Sequence, residues 1–204
     1  MADRYPIPAT IHRVEEEISR SRFITTLAPT PTLADARAFV AAVRAEFADA
    51  THNCWAYLVG PPGSTGQVGF SDDGEPHGAA GRPMLTVLEH SRLGDITAVV
   101  TRYFGGTLLG KGGLVRAYSG GVKLALAGLP VAQHVPMSEL EVVVSYAGVA
   151  PLLRLLPQFE ATPLHESYAA DVSYHLRLPA DRAAAFAAAL TELTNGEALV
   201  DLPT

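Results

Sequence analysis

Only one of the 204 residues is a cysteine, Cys54, and this excludes an internal disulfide. Long apolar runs are missing as well. The longest stretch free of Asp, Glu, Lys and Arg runs from Ala50 to Ser71, but turn chemistry from Pro61 to Gly66 interrupts it. It therefore cannot form the apolar helix of about 20 residues that spans a bilayer. Met1 to Pro8 carries Asp3 and two prolines where a signal peptide needs a continuous apolar core, so a cytoplasmic protein with no membrane partner is expected. The seven histidines show no paired helical spacing, no Gly-x-Ser-x-Gly elbow is present, and one cysteine cannot build a Cys-rich zinc site. Internal repeats and low-complexity tracts are absent too. What is there, 48% hydrophobic and 18% charged residues, describes a folded chain. Its length allows one large domain or two small ones, with cores that need no disulfide or metal.

Charge is unevenly placed. Residues 1–130 hold twelve basic and twelve acidic residues, and 131–204 hold three and nine, so the net charge of −6 belongs to the last third. Phosphate binding draws on Lys and Arg, which makes that third a poor nucleic-acid surface. Ala98 to Lys123, by contrast, carries Arg102, Lys111, Arg116 and Lys123 and no acid. If an anion binds anywhere, it is expected there.

From Thr32 onward, Leu33, Ala36, Phe39, Val40, Val43 and Phe47 recur at helical steps, with Thr32 as the N-cap. Strands are predicted at Arg22–Leu27, Cys54–Val59, Val68–Phe70 and Asp95–Phe104, and helices through Pro83–Leu88 and Leu114–Leu129. The proline-bearing segment Leu129–Ser138 coincides with the charge shift and divides the chain into domains 1–130 and 137–204. The second reads strand 139–146, helix 149–156, strand 161–166, strand 171–178, helix 181–193 and strand 198–202. This βαββαβ order is ferredoxin-like, and the fold class is α+β. RNA-reading versions of that fold stack bases on an aromatic-rich signature in the third strand, and Asp171–Arg177 lacks that signature.

The most informative stretch, Arg102 to Arg116, sets a glycine-rich segment (Gly105, Gly106, Gly110, Gly112, Gly113) between a strand and a helix. Glycines permit positive φ and close approach, and a helix N-terminus offers unpaired N–H groups to a phosphate-containing ligand. Gly105 to Lys111 fits the Walker spacing, yet Gly112 stands where the magnesium-bridging Ser or Thr belongs, so that motif fails. The alternative is geometric: the glycines let a helix pack tightly on a strand. Asp72, Asp73 and Glu75, with His77 and Arg82 close behind, form a polar patch. It can be read as a magnesium or general-base cluster, or as a solvent-exposed turn with Arg82 pairing one of its acids. Cys54 shares a strand face with His52, as a nucleophilic pair would, although a strand cysteine is more often a small core residue. Trp55 points the other way, to the core or to a surface contact.

Taken together these residues resemble bacterial members of the IMPACT/YigZ family. The resemblance rests on Gly81, Met84-Leu85, Leu88, Leu93, Val99-Val100, Arg102, Tyr103-Phe104, Gly105-Gly106, Leu109 and Gly110. Ser19–Ile24, Thr51–Tyr57, Phe70–Pro76 and Gly112–Tyr118 extend it, while His77 departs from the family's small hydroxyl residue. It implies an N-terminal domain like the second domain of ribosomal protein S-five and a C-terminal domain like one in elongation factor G. It also implies a link to translation, since eukaryotic relatives restrain a starvation-sensing kinase. No catalytic mechanism comes with the family. The expectation is a non-enzymatic regulatory protein with no cofactor and no metal, binding RNA, the ribosome or a translation factor. Anion contacts are assigned to Arg102, Lys111, Arg116 and the glycine backbone. The alternative is a small enzyme acting on a phosphorylated or nucleotide substrate, with a base from the Asp72–Glu75 turn.

Overall fold

The computed structural model describes residues 4–64 and 66–201, so Thr65 of the expected Pro61–Gly66 turn and Leu202 of the expected last strand lie outside the described residues. The chain divides into one unit from Tyr5 to His134 and a second from Val135 to Asp201, together with Arg4.

In the first unit an antiparallel sheet has the order β2-β3-β6-β4-β5, built from β2 (His12–Ile18), β3 (Ser21–Pro29), β4 (His52–Leu58), β5 (Val68–Ser71) and β6 (Ile96–Tyr103). The apolar run at 96–100 is the middle strand because both its faces are covered. Helix α1 (Leu33–Glu46) packs Val40 and Val43 on Val99 from one face, with Trp55 beside them. Helices α2 (Gly81–His90) and α3 (Gly110–Gly128) cover the other face, where Cys54, Ala56, Ala98 and Val100 meet Met84, Leu85, Leu88, Tyr118 and Val122. Thr32 caps α1 as expected, its Oγ1 accepting the Asp35 N–H at 3.1 Å.

Periodicity misplaced three features. The last helix of this unit starts one turn before Leu114, so Gly110, Gly112 and Gly113 are its first turn and not a preceding loop. Strand β2 escaped notice because its Glu15-Glu16-Glu17 run breaks alternation at a sheet edge. Within the segment expected to join the domains, β7 (Val131–His134) pairs with β1 (Tyr5–Pro8) and so belongs to the first unit.

The second unit runs β8 (Met137–Val144), α4 (Tyr146–Leu155), β9 (Thr162–Tyr168), β10 (Val172–Pro179), α5 (Ala183–Leu193) and β11 (Leu199–Asp201). Its sheet order β11-β8-β10-β9 is the ferredoxin-like arrangement. Leu152, Leu155, Phe186 and Leu190 of the helices pack on Leu140, Val142, Val172, Tyr174 and Leu176. Tyr174, the one aromatic of the third strand, is therefore core and does not face solvent.

Candidate functional site

The turn between β5 and α2 is a hub of internal bonds. Asp72 accepts N–H groups from Gly78 at 2.8 Å, Ala80 at 3.1 Å and Gly81 at 2.9 Å, the last two being amides that α2 leaves open at its N-terminus. Burial alone would raise its pKa, but those three donors outweigh burial and hold it below the ordinary carboxylate value. Asp73, at φ +43°, accepts Arg44 Nη2 at 2.8 Å and the Asn53 N–H at 2.7 Å. Glu75 is buried and accepts Arg102 Nη1 at 2.6 Å and the Tyr118 hydroxyl at 2.7 Å on one oxygen. The segment is a turn exposed at Gly74, Pro76 and His77, but its three carboxylates are bonded within the protein and Glu75 is buried. His77 is fully exposed, 3.7 Å from Asp72. Arg82 does not pair with these acids: it stands in the first turn of α2 and faces Glu89, about two turns along the same helix, at 3.9 Å. Among the described residues no group of three His, Cys, Asp or Glu is arranged to hold a metal.

Arg102 is not the free cation the sequence suggested. Residues 98, 100 and 102 of β6 all face α2 and α3, which puts the guanidinium inside at 5% exposure. Its Cζ lies 5.4 Å from the ring centres of both Phe23 and Phe104, Nη2 donates to Ser21 Oγ at 3.3 Å, and Nε is buried without a partner. Glu75 has already neutralised it. Cys54 is core: burial pushes its thiol up to about 12, and it donates to the Asp72 carbonyl at 3.0 Å. A thiol held protonated is no nucleophile. His52 does share its face, with Nδ1 2.8 Å from the Asp73 carbonyl.

Above this floor opens a cleft of about 400 Å³, with Glu75 and Pro76 on one side and Phe104, Leu108, Leu109 and Lys111 on the other. Leu108 is 88% and Phe104 45% exposed, large apolar surface for residues beside a glycine-rich segment. The five glycines divide by cause. Gly105 is needed for close approach, since a Cβ there would collide with the Arg20 carbonyl. Gly106 and Gly110 have φ of +82° and +67°. Gly112 has neither requirement: a Cβ would meet only the tip of Arg116, at 3.8 Å. A Cβ on Gly113 would come 3.0 Å from Leu109 Cβ. Helix α3 also lacks a side-chain cap at its N-terminus.

Lys111 lines the cleft and Arg116 flanks the same helical turn, whereas Arg102 is spent below them. Arg20, which sequence reasoning passed over, reaches the segment from the β2–β3 turn and donates to Thr107 Oγ1. Among the described residues, Arg20, Lys111 and Arg116 have no acid within ion-pair distance. Tyr118 was also missed. It lies on the buried stripe of α3 with Leu114, Val122 and Ala125, where a lone hydroxyl among apolar residues marks a buried acceptor nearby.

Residues 19–126 match the model of the Impact N-terminal domain, and residues 142–197 that of a domain of unknown function, DUF1949. The IMPACT family member YigZ of Escherichia coli (strain K12) is 47% identical over 93% of each chain. An IMPACT family member of Haemophilus influenzae is 41% identical over 97% of this chain and 96% of its own. A solved structure described as a hypothetical protein superposes with a TM-score of 0.74 at 44% identity, covering 100% of this chain and 99% of the other. Two mixed α/β domains in this order define the class, and the chain belongs to the IMPACT family.

Proposed function

We propose that the protein is a non-enzymatic, translation-linked binding protein that takes an RNA or ribosomal partner in the cleft between the 72–77 turn and the 104–114 segment. The observation that supports this most is Gly112. It stands in the first turn of α3, where glycine is a poorer helix former than alanine, and neither a positive φ nor a crowded neighbour requires it. A bare backbone beside Lys111 and Arg116 is what an approaching phosphate group uses. Phe104 and Leu108 offer the apolar complement. A catalytic reading would take its base from the Asp72–Glu75 turn, where all three carboxylates are already bonded within the protein.

Filter binding to ribosomes and to structured RNA at low salt tests the proposal. Gly112→Ala should raise thermal stability and weaken binding together, two opposite movements from one methyl group. Tight binding by Gly112→Ala would leave the glycine as helix geometry alone.

A further inference from the structure

The opposite face of the first unit carries a second arrangement that the cleft does not use. Trp55 and Tyr57 sit two residues apart on β4, on the side turned to α1, with ring centres 5.5 Å apart and planes within 5°. Tyr57 faces Gly69 of the edge strand β5, where a Cβ would lie 2.5 Å from the ring. A residue without a side chain thus lets the tyrosine lie over the strand. Trp55 packs against the buried cluster of Val40, Val43 and Val99, so the pair forms a fixed floor.

Above it is a hollow of about 230 Å³ lined by Arg37, Val40, Ala41, Arg44, Trp55 and Tyr57, two cations and no acid. Arg37 and Arg44 are seven residues apart on α1, two turns along one helix face, so about 10 Å separates them along the axis. Arg44 is held by Asp73 at 2.8 Å, whereas Arg37 is exposed with no acid within ion-pair distance among the described residues. A wall of guanidinium over parallel rings suits a planar group carrying negative charge, and a nucleotide in an unpaired strand supplies both at every step. A base pair in a duplex keeps its faces covered.

We propose that this surface is a stacking platform for single-stranded nucleic acid, one base lying against the Trp55–Tyr57 floor and an adjoining phosphate meeting Arg37. Its elements are independent of Lys111, Arg116 and Gly112, so it stands or falls apart from the cleft.

Trp55 is the sole tryptophan, so its fluorescence reports this face and no other. Titration with an oligouridylate of eight nucleotides should quench it saturably, and a duplex of the same length should not. Arg37→Glu, on an exposed helix position, should raise the dissociation constant about tenfold or more without moving the melting temperature. Tyr57→Leu should do the same, while Lys111→Glu should leave the quenching curve in place. Absence of quenching by the single strand, equal quenching by the duplex, or a curve untouched by Arg37→Glu would each overturn the platform. Loss of quenching in Lys111→Glu with Arg37→Glu unaffected would do so too, by moving the contact to the cleft.

Discussion

The two units bury very different chemistry. Residues 5–134 enclose an arginine, a glutamate, an aspartate, an asparagine and several hydroxyls, whereas the core of 135–201 is apolar around Tyr174 and Phe186, with Thr194 its one buried polar residue outside the aromatics. An apolar core supplies stability through area and packing alone. A buried ion pair is weak support for stability, because desolvation offsets attraction, so its retention under a cleft points to positioning. Arg102 and Glu75 hold the strand, the turn and Tyr118 in fixed relation, and the groups left uncommitted are those at the rim.

The largest effect should come from opening that pair. Glu75→Ala leaves a buried guanidinium unmatched and should cost about 3–5 kcal/mol in denaturant melts. Phe186→Ala in the second unit should cost a similar amount, about 3–5 kcal/mol, through the cavity it leaves. The contrast lies in rescue. The double change Glu75→Leu with Arg102→Met should recover most of the stability while ribosome or RNA binding stays weak, because no floor fixes the rim. Full binding by the double variant would make the pair merely structural.

Gly105→Ala comes next. Its methyl group must displace the Arg20 backbone, which should cost about 1–3 kcal/mol, comparable to overpacking a core. Equal stability would show that the β2–β3 turn yields freely.

Asp72→Asn should cost about 1 kcal/mol by weakening the α2 cap. Because the folded pKa of Asp72 is lowered, its carboxylate stabilises the fold above the unfolded value of about 3.9 and loses that contribution as pH falls through the lower folded value. Wild-type and Asp72→Asn melts should therefore converge below about pH 4. A gap that stayed constant down to pH 2 would assign the cap to shape and not to charge.

The smallest effect belongs to the second unit's surface. Glu139 meets Arg177 at 3.1 Å and His175 at 3.2 Å, the first two exposed and the histidine half-buried, so Glu139→Ala should change stability by no more than about 1 kcal/mol. A loss matching Glu75→Ala would erase the contrast between the units.

Much of this architecture was legible in the residues. The 3.6-residue recurrence from Leu33 to Phe47, the Thr32 cap and the βαββαβ order of the last third follow from local pattern, because one apolar face per element is all those parts require. The site was legible by location and not by role. Glycine and charge marked residues 102–116 and 72–75, yet spacing along the chain does not reveal that Glu75 and Arg102, 27 positions apart, meet at 2.6 Å. Nor does it separate Gly105, pressed on Arg20, from Gly112, which touches almost nothing. Burial decides both, and burial comes from how β3, β6, α2 and α3 assemble.

The most direct measurement is the salt dependence of binding to ribosomes by the wild-type protein and by Lys111→Ala. Wild-type affinity should fall steeply as salt rises, and loss of the one cleft lysine should weaken binding and lower the slope of log affinity against log salt by about 1. Equal affinity and equal slope for the two proteins would contradict the assignment of the cleft as the place where the anionic partner is held.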